Sequence, residues 1–582
     1  MTYIIADNIL SPLGETTEQN LSAVAAGVSA LKTYPKLWDM PEPLCASLFT
    51  PQQHEHMAQE CRHHSMSGAT APTAFESMAL CSIWRALAQT TVNASSPRVA
   101  LILSTTKGNA GRLCEQYDEE QTWLPGHSAA KIAAILGMAS TPIVVCNACI
   151  SGVSALILGA RLIESGAYDH AIVCGAECLG LFIASGFYSL KAMSATPCRP
   201  FDMERTGMNL GEAAATVVLS KDPQTGRMSD GGWHIVQGAV RNDACHISAP
   251  SKNGEGAYRT LTAVAGDVCG DDIAVINAHG TATLFNDQME SVAITRAGLS
   301  AIPVNSYKGY FGHTLGAAGI METILTMRAI DHHLIIGTKN FEERGVSGNI
   351  RIAADNQPTD KQQLIKMISG FGGNNASLLV SKAKAVRPSH HSTLSGRVTH
   401  HVTITHGQVS VDGQPLPIAA DADTPLLTAI YKRYIGEYPK FYKMDTLSQL
   451  GFVASELLLQ AESGDDRPSP KDTDHRAVIL FNRSSSWATD LKYAKTIGDR
   501  DNFFPSPSLF VYTLPNIVAG EIAIRHHYYG ETSFFILPER DDEQMRRIVM
   551  ASALDPSTTS IVTGWLDAEP GGSLTADFKI IE

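Results

Sequence analysis

Cys146 and Cys149 lie three residues apart in Val144-Val-Cys-Asn-Ala-Cys-Ile-Ser-Gly-Val-Ser-Ala-Leu156, a spacing open to three kinds of chemistry. A redox pair needs CxxC at a helix start in a small thioredoxin-like unit, and a zinc site needs a second ligand pair at suitable spacing. No other CxxC occurs, and Cys61-Arg-His-His64 lies in a polar stretch without strand context. Alone, the segment is most simply two buried thiols. The third possibility is a nucleophile. A cysteine at a strand-to-helix turn meets the positive end of the helix dipole and free backbone N–H groups, which lower its pKa and can hold an oxyanion. Cys149 stands at such a turn, between the apolar run Ile143–Cys146 and the helical stretch from Ile150, whereas Cys146 falls inside the strand as packing.

Three further turns carry reactive side chains. Asn277-Ala-His279-Gly-Thr281-Ala-Thr283-Leu-Phe-Asn-Asp287 follows the strand Ala274–Ile276 and puts His279 at a strand end. Lys308-Gly-Tyr-Phe-Gly-His313-Thr-Leu-Gly-Ala-Ala-Gly319 sets a second histidine five residues after a lysine, and Ser369-Gly-Phe371-Gly-Gly-Asn-Asn375 adds a glycine-rich turn. One histidine near glycines is usually a hydrogen-bonded loop residue. Four such turns, with Cys, His, Lys/His and Phe, predict a single assembled site.

Residues 1 to about 385 alternate short apolar strands with amphipathic helices, the pattern of an α/β fold. Strands are predicted at Val99–Leu103, Pro142–Cys146, His170–Cys174, Ala214–Leu219 and Ala274–Ile276, with helices over Ser128–Leu136 and Gly152–Glu164. The polar stretch Ala385–His401 reads as a linker, and Glu462–Arg476 as a surface loop. Beyond it the chain repeats itself. Arg476-AVILFNRSSS aligns with Arg98-VALILSTTKG, Thr532-SFFILPER with Thr141-PIVVCNAC, and SIVTG with AIVCG, so the C-terminal region reads as a decayed copy of roughly residues 1–180.

The motifs ACISG, HGTATLFND, KGYFGHTLGAAG and GFGGNN, in that order, resemble the β-ketoacyl-acyl-carrier-protein synthases of the thiolase-like superfamily, in their elongating Cys-His-His branch. Ser11-Pro-Leu-Gly14, Cys198-Arg-Pro-Phe-Asp202, Gly211–Ala215 and Asp243–Pro250 extend the likeness across residues 1–385. The resemblance implies a five-layered α-β-α-β-α core, with an N-half of about 1–225 and a C-half of about 226–385, a linker at 386–400 and a degenerate, noncatalytic N-half-like domain at 401–582. It implies that Cys149 accepts the acyl group, with the amides of Cys149 and Phe371 as oxyanion hole and the Phe371 ring as gate. His279 and His313 would assist malonyl decarboxylation, Lys308 and its partner Glu322 would stand behind them, and Thr281, Thr283, Gly372 and Asn374 would bind substrate. The implied reaction is decarboxylative condensation with malonyl-acyl-carrier protein, with no metal and no cofactor beyond the carrier's phosphopantetheine. The implied assembly is a homodimer, or a heterodimer with another ketosynthase-like subunit. Gly309-Tyr-Phe departs from the Ser-Asn-Ile common after the lysine, and Asn374 stands where threonine is frequent.

No cysteine follows Cys269, and the repeat puts Arg540 at the nucleophile position, so catalysis is not expected after residue 401. The segment Pro505–Gly530 keeps the look of the residues ahead of a nucleophile turn. A noncatalytic partner comparable to chain-length factors, as in aryl-polyene pathways, is one reading of this region, and a degenerate domain kept for stability is the other. A noncatalytic scaffold is the alternative for the whole chain.

A net charge of −13 argues against nucleic acid as partner, and no run of about 20 apolar residues suggests a membrane span. Eleven scattered cysteines, including Cys81, Cys174 and Cys269 in apolar runs, and the lack of a signal-peptide pattern point to a reduced, cytoplasmic protein.

Overall fold

Three stretches of the chain build the same five-stranded core. The computed structural model describes all residues except 65–69, 115–121, 227–231, 267–269, 383–393, 406, 419–423, 465–472 and 500–502. The first unit contains β1 (Thr2–Leu10), β2 (Val99–Ser104), β3 (Ile143–Val145), β4 (His170–Glu177) and β5 (Ala213–Ser220), in the spatial order β3-β2-β4-β5-β1. Strand β2 is parallel to both neighbours, and β5 is antiparallel to both of its own. The second unit repeats this with β6 (His234–Asn242), β7 (Ile273–Asn277), β8 (Pro303–Asn305), β9 (Gln363–Gly370) and β10 (Asn374–Ser381), ordered β8-β7-β9-β10-β6. The third does so with β11 (Val398–Thr405), β12 (Arg476–Asn482), β13 (Thr532–Ile536), β14 (Ser560–Ala568) and β15 (Leu574–Ile581), ordered β13-β12-β14-β15-β11.

The predicted strands all form, within a residue or three of their expected ends. Strands such as VALILS and AAATVVLS are buried along their whole length, as sheets covered on both faces require. Helix α1 (Ala74–Leu87) covers the outer face of the first sheet, and α2 (Ser151–Glu164) its inner face. Helix α3 (Glu255–Ala265), with α4 (Leu284–Arg296) beside it, covers the outer face of the second sheet. Helix α5 (Ala318–Asp331) packs on α2 between the two sheets. Both middle helices are apolar nearly all round: α2 is buried from Ser151 to Ile163, and α5 everywhere except Arg328 and Asp331. The layering is therefore α-β-α-β-α.

In the third unit, α6 (Thr446–Ser463) and α7 (Ile517–His526) pack together, while α8 (Asp542–Ser552) lies against α2. Strand β3 runs antiparallel to β13, pairing Val145 with Phe535 and Val144 with Ile536. In the repeat alignment Val144 corresponds to Phe535 and Val145 to Ile536, so each strand meets its own copy in a self-complementary register. The helices that follow these strands, α2 and α8, also meet each other. A local two-fold thus relates the first and third units, and their apolar side chains form continuous clusters across it.

Two expectations shift. The polar stretch read as a linker to residue 400 becomes β11 at Val398, because Val402 and Ile404 alternate into the core. The repeat also runs past residue 180, since β15 is the counterpart of β5. Residues 465–472 of the predicted loop, most of the linker and Cys269 lie outside the described residues. Among the described residues no helix is long and apolar enough to cross a membrane.

Candidate active site

Strand β3 stops at Val145, one residue before Cys146, whose thiol is fully buried and donates to Thr106 O at 3.5 Å. Ala148 then takes a left-handed conformation (φ 50°) and a single turn, Ala148–Ile150, leads into α2. Ser151 closes the corner: its Oγ accepts from Asn147 N at 2.8 Å and donates to Ala148 O at 2.6 Å. Asn147 Oδ1 in turn accepts from Phe534 N at 2.6 Å, which ties the corner to β13. The turn delivers Cys149 to the wall of a cavity of about 370 Å³.

His279 and His313 line the same cavity, and one nitrogen of each ring and the Cys149 sulfur all lie within 4.8 Å of one another. The two rings meet edge to face, 4.8 Å between centroids. The turn after β7 is pinned by Glu290 of α4, whose carboxylate accepts from His279 N at 2.7 Å and Gly280 N at 2.8 Å. His313 follows Gly312, and its Nδ1 accepts from Leu315 N at 3.2 Å. That bond assigns the proton of the neutral ring to Nε2. Among the described residues neither His313 Nε2 nor His279 Nδ1, both buried, has a hydrogen-bond partner, although buried polar groups are nearly always satisfied. Burial, reinforced by Lys308 and Lys366, holds both rings well below the ordinary histidine pKa, so they are neutral at pH 7.

Lys308 and Glu322 form a buried ion pair behind the histidines. A second lysine completes it. Lys366 Nζ donates to Glu322 Oε2 at 2.6 Å, Asn277 Oδ1 at 2.8 Å and Ala278 O at 3.2 Å, the last being the carbonyl just before His279.

The thiol departs from expectation. Burial pushes the Cys149 thiol up to about 12, outweighing Lys308 and the Cys149 and Phe371 N–H groups, which pull it down. Desolvation of the anion thus exceeds the helix-terminus effect in the resting site. The N–H groups of Cys149 and Phe371 are the two backbone donors that favour the anion, and Gly370, next to Phe371, packs on the Cys149 turn, where an added Cβ would fall 3.1 Å from Cys149 N.

Thr281 and Thr283 lie on the cavity wall, their hydroxyls 2.9 Å apart. Phe371 lies there too, stacked 6.1 Å from Phe187. Asn374 reaches the wall, but its Oδ1 is taken by Asn242 Nδ2 at 2.9 Å and by Thr532 Oγ1. Gly372 is turned out of the cavity and donates to Ile247 O at 2.7 Å, while Gly373 lines it. Sequence reasoning passed over Lys366, Glu290, Phe510 and Asn516. Lys366 had a signal, a lone cation in the apolar run Gln363-Leu-Ile-Lys-Met-Ile. Phe510 and Asn516 had none, because only the docking of the third unit brings them near. Arg540 stands partly exposed at the third unit's corresponding corner, paired with Asp542 at 2.9 Å and Asp577 at 2.7 Å.

Two family models match, "Beta-ketoacyl synthase, N-terminal domain" over residues 3–224 and "Beta-ketoacyl synthase, C-terminal domain" over residues 234–342, together more than half of the chain. The chain belongs to the β-ketoacyl synthase family. Among its curated relatives, the tetracenomycin polyketide synthase ketoacyl synthase alpha subunit of Streptomyces glaucescens is 31% identical over 280 residues, which are 46% of this chain and 66% of the relative. A 3-oxoacyl-[acyl-carrier-protein] synthase 2 of Rhizobium meliloti is 34% identical over 255 residues, 41% of this chain and 60% of that one. The chain therefore spans 60 to 66% of the length of these ketosynthases. A solved structure, the PfaC Keto synthase-Chain length factor, superimposes with a TM-score of 0.74 over all of this chain and 78% of its own, at 14% identity, a likeness of fold.

Proposed function

We propose that this β-ketoacyl synthase performs decarboxylative chain elongation on carrier-bound thioesters. The convergence of Cys149, His279 and His313 on one cavity, with an unpartnered nitrogen on each ring, carries the reading. Cys149 Sγ attacks the acyl thioester of a carrier protein. The carbonyl oxygen gathers charge between the N–H groups of Cys149 and Phe371, and the carrier leaves as a thiol with the proton that Cys149 gives up. Malonyl-carrier then places its thioester oxygen against the neutral histidines, of which His313 Nε2–H is a donor. Loss of CO₂ leaves an enolate stabilised there without any change of ring charge. The enolate carbon attacks the acyl-cysteine, giving 3-oxoacyl-carrier, and the departing Cys149 thiolate takes up one proton. Lys308, Glu322 and Lys366 touch no substrate in this scheme; they hold the histidine turns and the local charge.

The C-terminal region, with Arg540 at the counterpart of Cys149, acts as a noncatalytic, partner-like half. It backs the acyl pocket, from behind the lining residue Phe187. Phe510 packs edge-on against Phe187 at 5.5 Å, and an added Cβ on Gly186 would lie 2.1 Å from the Phe510 ring. By occupying the antiparallel edge of β3, the region takes the place of a second ketosynthase-like subunit.

Intact-protein mass spectrometry with acyl-carriers of several lengths, followed by malonyl-carrier, tests the reading. Wild type is expected to gain an acyl mass that Cys149→Ala does not, and malonyl-carrier should discharge it as a product two carbons longer. The accepted length reports the pathway, aryl polyenes among the candidates. Absence of acyl-Cys149 with every donor would leave the noncatalytic scaffold.

A further inference from the structure

We infer that Asn516, from the C-terminal region, is a positioning residue for the Phe371 turn and hence for the oxyanion pair around Cys149; this rests on the condensing reading above. The turn between β9 and β10 passes through two left-handed glycines, Gly372 (φ 91°) and Gly373 (φ 74°), a conformation that backbone preference alone does not fix. Yet this turn lies against the nucleophile: a Cβ on Gly370 would fall 3.1 Å from Cys149 N, and Phe371 lines the cavity beside Cys149 while its ring stacks on Phe187.

The third unit holds it at three points. Asn516, fully buried at the start of α7, donates from Nδ2 to Phe371 O at 2.8 Å. The α7 backbone presses on the next residue, since a Cβ on Gly520 would fall 2.6 Å from Gly372 O. Thr532 Oγ1 accepts from Asn242 Nδ2 at 2.9 Å, and the same Nδ2 donates to Gly372 O at 2.8 Å and to Asn374 Oδ1 at 2.9 Å. Asn516 alone makes a side-chain hydrogen bond to Phe371 itself among the described residues. Its amide has a single productive orientation, because turning it would aim Oδ1 at the Phe371 carbonyl. The donor, rather than bulk, is what positions the turn.

Asn516→Asp and Asn516→Ala in the full chain separate these roles. Asp keeps the shape of Asn but sets an acceptor against an acceptor; Ala removes both. Thermal melting confirms folding, and the rates of Cys149 acylation by acyl-carrier and of alkylation by iodoacetamide are the readouts. The expected result is an acylation rate lowered on the order of tenfold in both variants, Asp at least as slow as Ala, with carrier KM within about twofold and alkylation altered in parallel. Should Asn516→Asp fail to fold, Asn516→Ser, too short to reach Phe371 O, takes its place with the same expectation. Rates within about twofold of wild type in folded variants, or an Ala variant slower than an Asp variant of near-normal rate, overturn the inference. Wild type that alkylates at Cys149 but never acylates defeats the condensing reading instead, and the alkylation rates still report on the turn.

Discussion

Lys366 Nζ lies 2.6 Å from Glu322 Oε2, while Lys308 pairs with Glu322 Oε1, so one buried carboxylate serves two lysines. The surplus positive charge lies close enough to help depress the pKa of both His279 and His313.

Lys366→Met should therefore raise both histidine pKa values. The acid limb of the pH–rate profile is expected to move to higher pH, with activity at pH 6 falling by up to about tenfold for every pH unit that the limb moves, and much less loss at pH 8. Freed Asn277 Oδ1 and Ala278 O would each cost about 1–3 kcal/mol of stability. Condensation rates from pH 5.5 to 9 check this, and a limb that stays in place removes Lys366 from the electrostatics of the site.

Phe510 and Phe187 meet edge to face, with Phe371 stacked on Phe187. Phe510→Ala is expected to lengthen the longest acyl chain loaded on Cys149 while costing about 3–5 kcal/mol. Phe510→Leu should do both more mildly. Gly186→Ala cannot fit its methyl beside the ring and should narrow the range and lower stability. An unchanged length profile for a folded Phe510→Ala protein would place the pocket's end elsewhere.

The sequence made Cys149, His279 and His313 legible because each sits in a turn whose glycines and flanking apolar strand are local properties. The expected thiol pKa had the wrong sign because desolvation depends on what the fold lays over the turn, which no local pattern reports. Lys366 was readable in principle, as an unpaired cation in a buried strand. Asn516 and Phe510 were not, since their partners lie 145 and more than 300 residues away and meet them only once the third unit docks. That the third unit copies the start of the chain was foreseen; that the copy runs on to β15, and that it docks on the nucleophile's own strand, was not.

Burial pushes the thiols of Cys146, Cys149, Cys174 and Cys198 up to about 12. In the unfolded chain they ionise near about 8.5. Their folded pKa is raised, so the contribution to stability is complete below about 8.5 and is lost as pH climbs towards 12. Lys366, lowered to about 8, works in the opposite direction between that value and its unfolded pKa near 10.4 and offsets only part of the loss, since burial raises the Cys178 thiol as well as these four. The urea midpoint should accordingly drop between pH 8 and pH 10. A flat or rising midpoint would contradict the burial of these thiols.

Asp555 of the third unit sits between Arg161 of α2 at 3.0 Å and Arg241 of β6 at 2.8 Å, and Arg161 also pairs with Glu531 at 2.6 Å. The two arginines hold the Asp555 carboxyl well below the usual carboxylate range, against a desolvation that alone would raise it. Its folded pKa is depressed, so its stabilisation is present above the unfolded value of about 3.9 and is lost as pH falls below it. Asp555→Asn keeps the shape and removes the charge, leaving Arg241 without an acidic partner among the described residues; the expected cost is about 3–5 kcal/mol, with a flatter acid limb of stability below pH 4. Because the same contact joins the third unit to α2, the loss should also loosen the Phe371 turn and raise hydrogen exchange at residues 369–375. Exchange confined to the neighbourhood of Asp555, with those amides unchanged, would mean that the third unit supports the fold without reaching the site through this contact.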